Sequence, residues 1–188
     1  GSRLSAIERL EPEVASAQVK SAIMLAALQA EGMTVLVEPA ATRDHTERML
    51  RAMGAPVEGL PEGAGWRVGG GAAPLSPVDM RIPGDPSSCA YAVALACVLA
   101  GSEVHVEDVS VNATRLGFYR LLRRMGGDVH CEEVSQSPVG RQPEPIGRLV
   151  ARTSALRGIV LDRADVTDAI DEIPLVGVLG ALADGDTV

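Results

Sequence analysis

Aromatic side chains are nearly absent from this chain of 188 residues, which has one Trp, two Tyr and one Phe. Basic residues are also few, since 17 Lys and Arg stand against 25 Asp and Glu and give a net charge of −8. A general nucleic-acid interface needs a basic surface, and single strands need aromatic rings on which their bases stack. The composition therefore argues against nucleic acid as a partner.

Cysteine is scarce too, with only Cys89, Cys97 and Cys131. Three cysteines without a C-x-x-C pair cannot form a closed disulfide framework, and no zinc-ligand spacing is present. Neither a phosphate-binding P-loop nor a dinucleotide-binding glycine motif occurs. The longest uncharged apolar run, from about Cys89 to Gly101, is too short to cross a bilayer, and no signal peptide follows Gly1. We expect a reduced, cytoplasmic protein with no metal, no cofactor and no membrane contact.

Aliphatic residues supply most of the 46% hydrophobic content, and they are arranged in an internal repeat. The segments Ser16 to Glu58 and Asp85 to Glu132 pass through the same series of features. Each has a small polar cluster, an apolar helix, a glycine, a short strand ending near Glu, an Arg-bearing helix, Met-Gly and another strand. A third copy begins at Thr167 and stops at Val188 as its strand starts. Such self-similarity indicates a repeat architecture.

The apolar helices predict an unusual layer order. The helices Cys89 to Ala100 and Ile173 to Ala183 carry no charge, and Val19 to Ala30 carries only Lys20, so we expect all three to be buried on every side. Strands are predicted at 3–10, 34–38, 66–70, 78–82, 103–109, 128–134, 148–154 and 158–161. The predicted fold class is α+β, with repeated βαβαββ units whose apolar helices are buried and whose sheets lie outside.

The Arg-bearing helices carry charge on one side and Met or Leu on the other. The two are Asp44 to Met53 and Thr114 to Met125, and this pattern is typical of helices that cover a sheet. Asp44 followed by Glu47 three residues later fits a capping box at the start of the first of them.

Aligning the glycine after each apolar helix superposes three polar residues at the helix starts, namely Gln18, Ser87 and Asp171. A helix N-terminus attracts anions through its free N–H groups, so a shared ligand-binding face is one interpretation. The other is ordinary capping, because Ser and Asp are preferred N-caps of any helix.

Two charged positions leave similar alternatives. Asp171 lies with Asp168 and Glu172 in an acidic cluster, which either complements the helix dipole or supplies a general base, with Asp171 the better candidate. Arg43 lies in a loop after a strand, where it either pairs with Asp44 or binds an anion.

Four motifs together resemble the EPSP synthase (3-phosphoshikimate 1-carboxyvinyltransferase) family. They are Ser16 to Ala22 (S-A-Q-V-K-S-A), Thr42 to Glu47 (T-R-D-H-T-E), Pro83 to Ser88 (P-G-D-P-S-S) and Asp171 to Pro174 (D-E-I-P). They occur in the family's order and span nearly the whole chain. The resemblance implies two domains of three βαβαββ units each, an inside-out α/β barrel, and transfer of the enolpyruvyl group of phosphoenolpyruvate to the 5-hydroxyl of shikimate-3-phosphate.

The resemblance also implies roles for individual residues. Ser16, Ala17 and Gln18 would contact shikimate-3-phosphate, with Ala17 contributing only its backbone, and Gln18 would also reach phosphoenolpyruvate. Arg43 would lie near the shikimate-3-phosphate site. Asp171 would be the proton acceptor that holds the substrate hydroxyl.

Members of this family are roughly twice as long as this chain. We therefore expect residues 1–75 to be the last repeat unit of one domain, and residues 76–188 to be the first unit and part of the next unit of the other. The family's other substrate-binding motifs have no counterpart here, so the chain alone is expected to be inactive and to need the remainder of the enzyme. The alternatives are a UDP-N-acetylglucosamine enolpyruvyl transferase or a non-catalytic binding module on the same scaffold.

Overall fold

The computed structural model describes residues 4–71, 74–133 and 143–188. Its helices are α1 (Ala17–Ala27), α2 (His45–Ala52), α3 (Pro86–Val98), α4 (Gly117–Arg124), α5 (Arg163–Asp168) and α6 (Ile173–Leu182). Its strands are β1 (Met33–Val37), β2 (Val57–Gly59), β3 (Gly65–Gly69), β4 (Glu103–Ser110), β5 (Asp128–Glu133) and β6 (Ile146–Arg152). The chain divides into two compact units between Met80 and Arg81, with Pro143 counted in the first unit. This division lies close to the predicted boundary between residues 75 and 76, but the assignment of the units to particular domains of a larger enzyme stays a prediction.

The two units share one sheet topology. The first sheet has the order β1-β3-β2 and the second has β4-β6-β5, and every neighbouring pair is antiparallel. A preceding segment joins each unit through a parallel bridge, Leu10 to Leu36 in the first unit and Gly84 to Val109 in the second. A further parallel bridge joins Arg157 to Asp184, beside α6. The α+β class and the repeated βαβαββ order are therefore confirmed.

Each unit has its own core between helices and sheet. The first unit packs Met24 and Ala27 of α1 and Leu50 of α2 against the inward side chains of its sheet. The second unit has a larger core, in which α4 supplies the two rings Phe118 and Tyr119, both 1% exposed. Two of the four aromatic residues thus pack into the core from an Arg-bearing helix, whereas the buried residues of the apolar helix α3 are small, such as Ala90, Val93 and Ala94.

The apolar helices are not buried on every side in the described residues, contrary to the sequence prediction. Tyr91 and Leu95 on α3 are 64% and 55% exposed, and Leu182 on α6 is 62% exposed. On α1 the large apolar side chains of Val19 and Leu25 are exposed. The reason is that the sheet of a single unit covers only one face of its apolar helix, so the second face needs another packing layer.

The strand predictions differ from the structure at four places. The described part of the segment predicted at 3–10 forms only isolated parallel bridges, at Ser5 and Leu10. Residues 78–82 form no strand, because the described residues offer this segment no partner before Gly84. The strand β2 was missed, since its three residues include Gly59 and are too few for an alternating pattern. The predicted strand at 158–161 pairs with the end of the chain only through single bonds such as Leu161 N to Val188 O, 2.7 Å.

Candidate functional site

The start of α1 carries three of the predicted binding residues. Ser16 has an extended backbone (φ −142°, ψ 119°) and its Oγ accepts a hydrogen bond from Val19 N at 3.3 Å, which makes it the N-cap. Its hydroxyl also donates to Gln18 Oε1 at 3.2 Å, and the Gln18 side chain is exposed. Ser16 therefore caps α1. The N–H groups of Ala17 and Gln18 belong to the first turn and have no acceptor within the helix, so they can bind an anion.

Directly below this helix start lies a buried ionic cluster that consists of Lys20, Glu38 and Glu47. The ammonium of Lys20 lies 3.0 Å from Glu38 Oε1 and 2.6 Å from Glu47 Oε1. The side chains of the three residues are 3%, 8% and 0% exposed. One cation thus faces two carboxyl groups away from water, and Glu47 Oε2 has no hydrogen-bond partner among the described residues.

Glu38 connects this cluster to two further side chains. Trp66 Nε1 donates to Glu38 Oε2 at 2.9 Å, and Thr42 Oγ1 donates to Glu38 Oε1 at 2.6 Å. The Trp66 ring also lies 6.0 Å from the Lys20 ammonium, within the range of a cation–π contact. Both oxygens of Glu38 are therefore used, which compensates part of the cost of burying it.

The predicted capping box of α2 is wrong. Asp44 is the N-cap by position, but its side chain makes no capping hydrogen bond, and its Oδ2 accepts instead from Arg48 Nε at 2.8 Å. Glu47 turns inward to Lys20, since a buried cation offers a carboxylate more than an exposed backbone N–H does. Sequence reasoning therefore missed the cluster. The available signal was the single Lys in an otherwise apolar helix, which requires a buried counter-charge.

The segment that carries Arg43 is attached to α1 on both sides of that residue. Before it, Thr42 binds Glu38, which binds Lys20. After it, Thr46 Oγ1 lies 2.6 Å from Ser21 Oγ on α1. Arg43, half-buried between these two attachments, lies in the loop between β1 and α2. The structure thus brings the starts of α1 and α2 together, and with them the predicted binding residues of the first unit.

In the second unit, the start of α3 is capped by Asp85. Its carboxylate accepts from Ser88 N at 2.9 Å, from Ser87 N at 3.3 Å and from Arg115 Nη2 at 2.7 Å. Burial raises the pKa of Asp85, but the hydrogen bonds from Ser88 and Ser87 and the charge of Arg115 outweigh it and bring the pKa below its ordinary value. Ser87, which the repeat alignment singled out, accepts a hydrogen bond at its Oγ from Arg115 Nη2 at 2.7 Å.

The acidic cluster before α6 consists of Asp168, Asp171 and Glu172, of which two are exposed and one is buried. Asp168 is exposed and binds Arg120 Nη2 at 2.7 Å, and Glu172, the N-cap residue, is buried but makes no side-chain capping hydrogen bond. Asp171 lies one residue before this cap with its side chain exposed. The structure therefore places Asp171 at a helix start, as expected, in the second unit, whereas Ser16 to Gln18 and Arg43 belong to the first.

The described ranges contain no group of three or more His, Cys, Asp and Glu side chains that could hold a metal ion. Burial raises the pKa of the Cys97 thiol, as expected for a cysteine that packs as a small apolar residue. None of the described helices is long and apolar enough to span a membrane.

Comparison with known proteins assigns the chain to a family. The family model described as EPSP synthase (3-phosphoshikimate 1-carboxyvinyltransferase) matches residues 2–188. The chain belongs to the EPSP synthase family.

Individual members of the EPSP synthase family agree with this assignment. The 3-phosphoshikimate 1-carboxyvinyltransferase of Limosilactobacillus fermentum is 44% identical over 177 residues, which are 94% of this chain and 40% of that protein. The enzyme of the same name from Novosphingobium aromaticivorans is 46% identical over 93% of this chain and 39% of its own length. This chain thus spans about 40% of the length of the curated relatives it matches.

Solved structures support the EPSP synthase fold directly. The EPSP synthase of Acinetobacter baumannii superposes with a TM-score of 0.85 at 40% identity, over 100% of this chain and 41% of that one. The enolpyruvyl transferase NikO of Streptomyces tendae, with a TM-score of 0.62 and 20% identity, shares the fold alone. The expectation of an incomplete enolpyruvyl transferase fold is confirmed, and the EPSP synthase family is favoured over the UDP-N-acetylglucosamine enolpyruvyl transferases.

Proposed function

We propose that this chain forms part of a 3-phosphoshikimate 1-carboxyvinyltransferase of aromatic amino acid biosynthesis, acting in the cytoplasm. The enzyme transfers the enolpyruvyl group of phosphoenolpyruvate to the 5-hydroxyl of shikimate-3-phosphate and releases phosphate. The observation that carries this proposal is the family match over residues 2–188, which includes all four sequence motifs.

The first unit supplies binding groups for anionic substrates. The N–H groups at the start of α1, a helix of 11 residues, suit a phosphate. The side chains of Ser16 and Gln18 suit hydroxyl groups of the substrate. Arg43 brings a guanidinium, whose planar set of N–H donors binds phosphate oxygens in pairs. Both substrates are anions, so these contacts explain how an acidic chain binds them.

The second unit supplies the proton acceptor. As the 5-hydroxyl oxygen of shikimate-3-phosphate attacks the substituted alkene carbon of phosphoenolpyruvate, Asp171 takes the hydroxyl proton. As the new C–O bond forms, the methylene carbon of phosphoenolpyruvate takes up a proton and becomes a methyl group. The tetrahedral intermediate then loses phosphate from the attacked carbon and a proton from this methyl group, which restores the double bond of the enolpyruvyl product. The phosphate and carboxylate of phosphoenolpyruvate need cationic partners, and we assign these to the remainder of the enzyme.

Two measurements test the proposal. Phosphate release from the two substrates should occur with the full-length enzyme that contains this segment, whereas the chain of 188 residues alone should show none. Turnover by the chain alone at the rate of the full-length enzyme would contradict the need for the remainder, and no turnover by the full-length enzyme would contradict the proposed function.

Calorimetric titration of the chain with shikimate-3-phosphate distinguishes a retained binding site from a bare scaffold. We expect weak binding that Gln18→Ala abolishes, because Gln18 lies at the start of α1. The matched control is Gln29→Ala, which removes the same exposed side chain just beyond the other end of α1 and should leave binding unchanged. Equal heats for both variants would exclude Gln18 from the site.

A further inference from the structure

We propose that Lys20 is a positioning residue, which fixes the start of α1 relative to the loop that carries Arg43. The proposal rests on the proposed function, because it assigns Ser16, Gln18 and Arg43 to one substrate. Lys20 is buried and does not reach solvent, so it would act through these neighbours and not on the substrate.

Lys20 is connected to the helix start through the backbone. Its N–H donates to Ser16 O at 2.9 Å and thereby closes the first turn of α1. Ser16 is in turn the cap, and its hydroxyl donates to Gln18 Oε1. A displacement of Lys20 would therefore move the cap and the N–H groups that face the ligand.

Lys20 is connected to Arg43 from both directions along the chain. Glu38 accepts from Thr42, the residue before Arg43, and Glu47 lies four residues after Arg43 on α2. The single ammonium thus holds two carboxylates that flank the Arg43 loop. An unconstrained loop would place the guanidinium over a range of positions, and the cluster limits that range.

The chemistry of the cluster favours positioning over stability. Burying charge costs free energy, and apolar residues of similar volume often stabilise a fold as well or better. Glu47 Oε2 gains nothing for this cost, since it has no hydrogen-bond partner among the described residues. What an ion pair adds over apolar contact is a defined distance between two particular atoms, here between α1 and α2.

The test is the double variant Lys20→Met/Glu47→Leu in the full-length enzyme that contains this segment. It removes the ionic contact between the helices. Glu38 loses its cation but keeps its hydrogen bonds from Thr42 and Trp66, so the unfolding midpoint should fall, although by less than in Lys20→Met, which leaves two carboxylates unpaired. We expect KM for shikimate-3-phosphate to rise about tenfold to a hundredfold, while kcat changes much less. The conservative variant Glu47→Gln keeps an acceptor oxygen for Lys20, so its KM should stay close to that of the wild type.

The control is Leu50→Ala, which lies on α2 and is 3% exposed in the core. It lowers the unfolding midpoint without touching the ions and should leave KM unchanged. If the double variant does not fold, Thr46→Val removes the second contact between the helices, the hydrogen bond to Ser21, and should raise KM by a smaller factor.

The outcomes separate the two proposals. Absence of turnover in the wild-type enzyme would refute the proposed function. A wild-type KM in a folded double variant, or in Thr46→Val where only that variant folds, would refute positioning by Lys20 while leaving the function intact. An equal rise of KM in Leu50→Ala would reduce the cluster to a structural role and also refute the inference.

Discussion

Each of the two units has an apolar helix whose start is stabilised by ionic contacts. These contacts are buried in the first unit and exposed in the second. In the first unit, the start of α1 rests on Lys20, Glu38 and Glu47, all nearly inaccessible to water. In the second unit, the start of α3 is held by Asp85, whose side chain is 50% exposed, and by Arg115. One contact is buried and shared by three groups, and the other is open to solvent.

In the second unit, a buried tyrosine lies where the first unit has buried ions. Tyr119 packs under the start of α3, and its phenol donates to Pro86 O at 2.5 Å. Burial raises the pKa of Tyr119, so the phenol keeps the proton that it donates. Among the described residues of the first unit, no ring takes the place of Tyr119 under α1, and Trp66 donates to Glu38 of the ionic cluster.

This contrast shows how one topology tolerates different electrostatics. A solvent-exposed pair contributes at most about 1 kcal/mol, and water replaces a lost partner. A buried group has no such replacement, so each member of the first unit's cluster depends on the others. The first unit should therefore be sensitive to single substitutions at its helix start, and the second should not.

The largest expected effect concerns Asp171, whose side chain is exposed at the start of α6. In the full-length enzyme, Asp171→Asn should lower turnover about 100- to 10,000-fold, the usual contribution of a general base. The unfolding free energy should change little, because the side chain is exposed and Asn still suits a helix start. Steady-state phosphate release and urea unfolding of the same preparation measure both quantities. An equal proportional loss of activity and stability would assign Asp171 to structure.

The next effect compares the two helix starts directly. Lys20→Met leaves Glu38 and Glu47 buried without their cation and should lower the unfolding free energy of the first unit by about 3–5 kcal/mol. Arg115→Met leaves Asp85 with water and should cost the second unit at most about 1 kcal/mol. Trp66, the only Trp of the chain, lies in β3 and reports unfolding of the first unit through its fluorescence.

Hydrogen exchange at backbone amides of β6 reports the second unit in the same samples. Similar losses for the two variants would show that burial does not distinguish the contacts, and the comparison would fail. A loss in Lys20→Met that disappears in 1 M salt would likewise contradict burial, since salt screens mainly exposed charges.

Local patterns were sufficient to predict the repeated architecture. The apolar helices, the glycines that follow them and the Met-Gly pairs are all contiguous features, and they predicted the βαβαββ order that the sheets confirm. The burial of whole helices was overestimated, because composition shows that Tyr91 and Leu95 are apolar but not whether a second layer covers them.

The candidate site was less accessible to sequence reasoning. Ser16 and Asp171 were placed at helix starts from local signals. The ionic cluster joins residues 18 and 27 positions apart in the chain, on α1, just after β1 and on α2, and no local rule pairs them. Glu47 shows the difficulty well, because a valid local pattern, the capping box with Asp44, competed with a distant cation and lost.

The smallest expected effect is the pH dependence of the α3 cap. The pKa of Asp85 in the folded chain lies below the ordinary value of 3.8, so its charge stabilises the fold above that pH. This contribution, at most about 1 kcal/mol for an exposed group, should be lost as the pH falls through the lowered pKa. Asp85→Asn keeps a capping oxygen but carries no charge, so its deficit in unfolding free energy should be present at pH 7 and shrink below about pH 4. Urea unfolding at both pH values, with exposed Asp79→Asn in the first unit as the control, measures it. A deficit that grows on acidification would mean that protonated Asp85 caps α3 better than its carboxylate does, and the exposed ionic contact of the second unit would then contribute nothing to holding the helix.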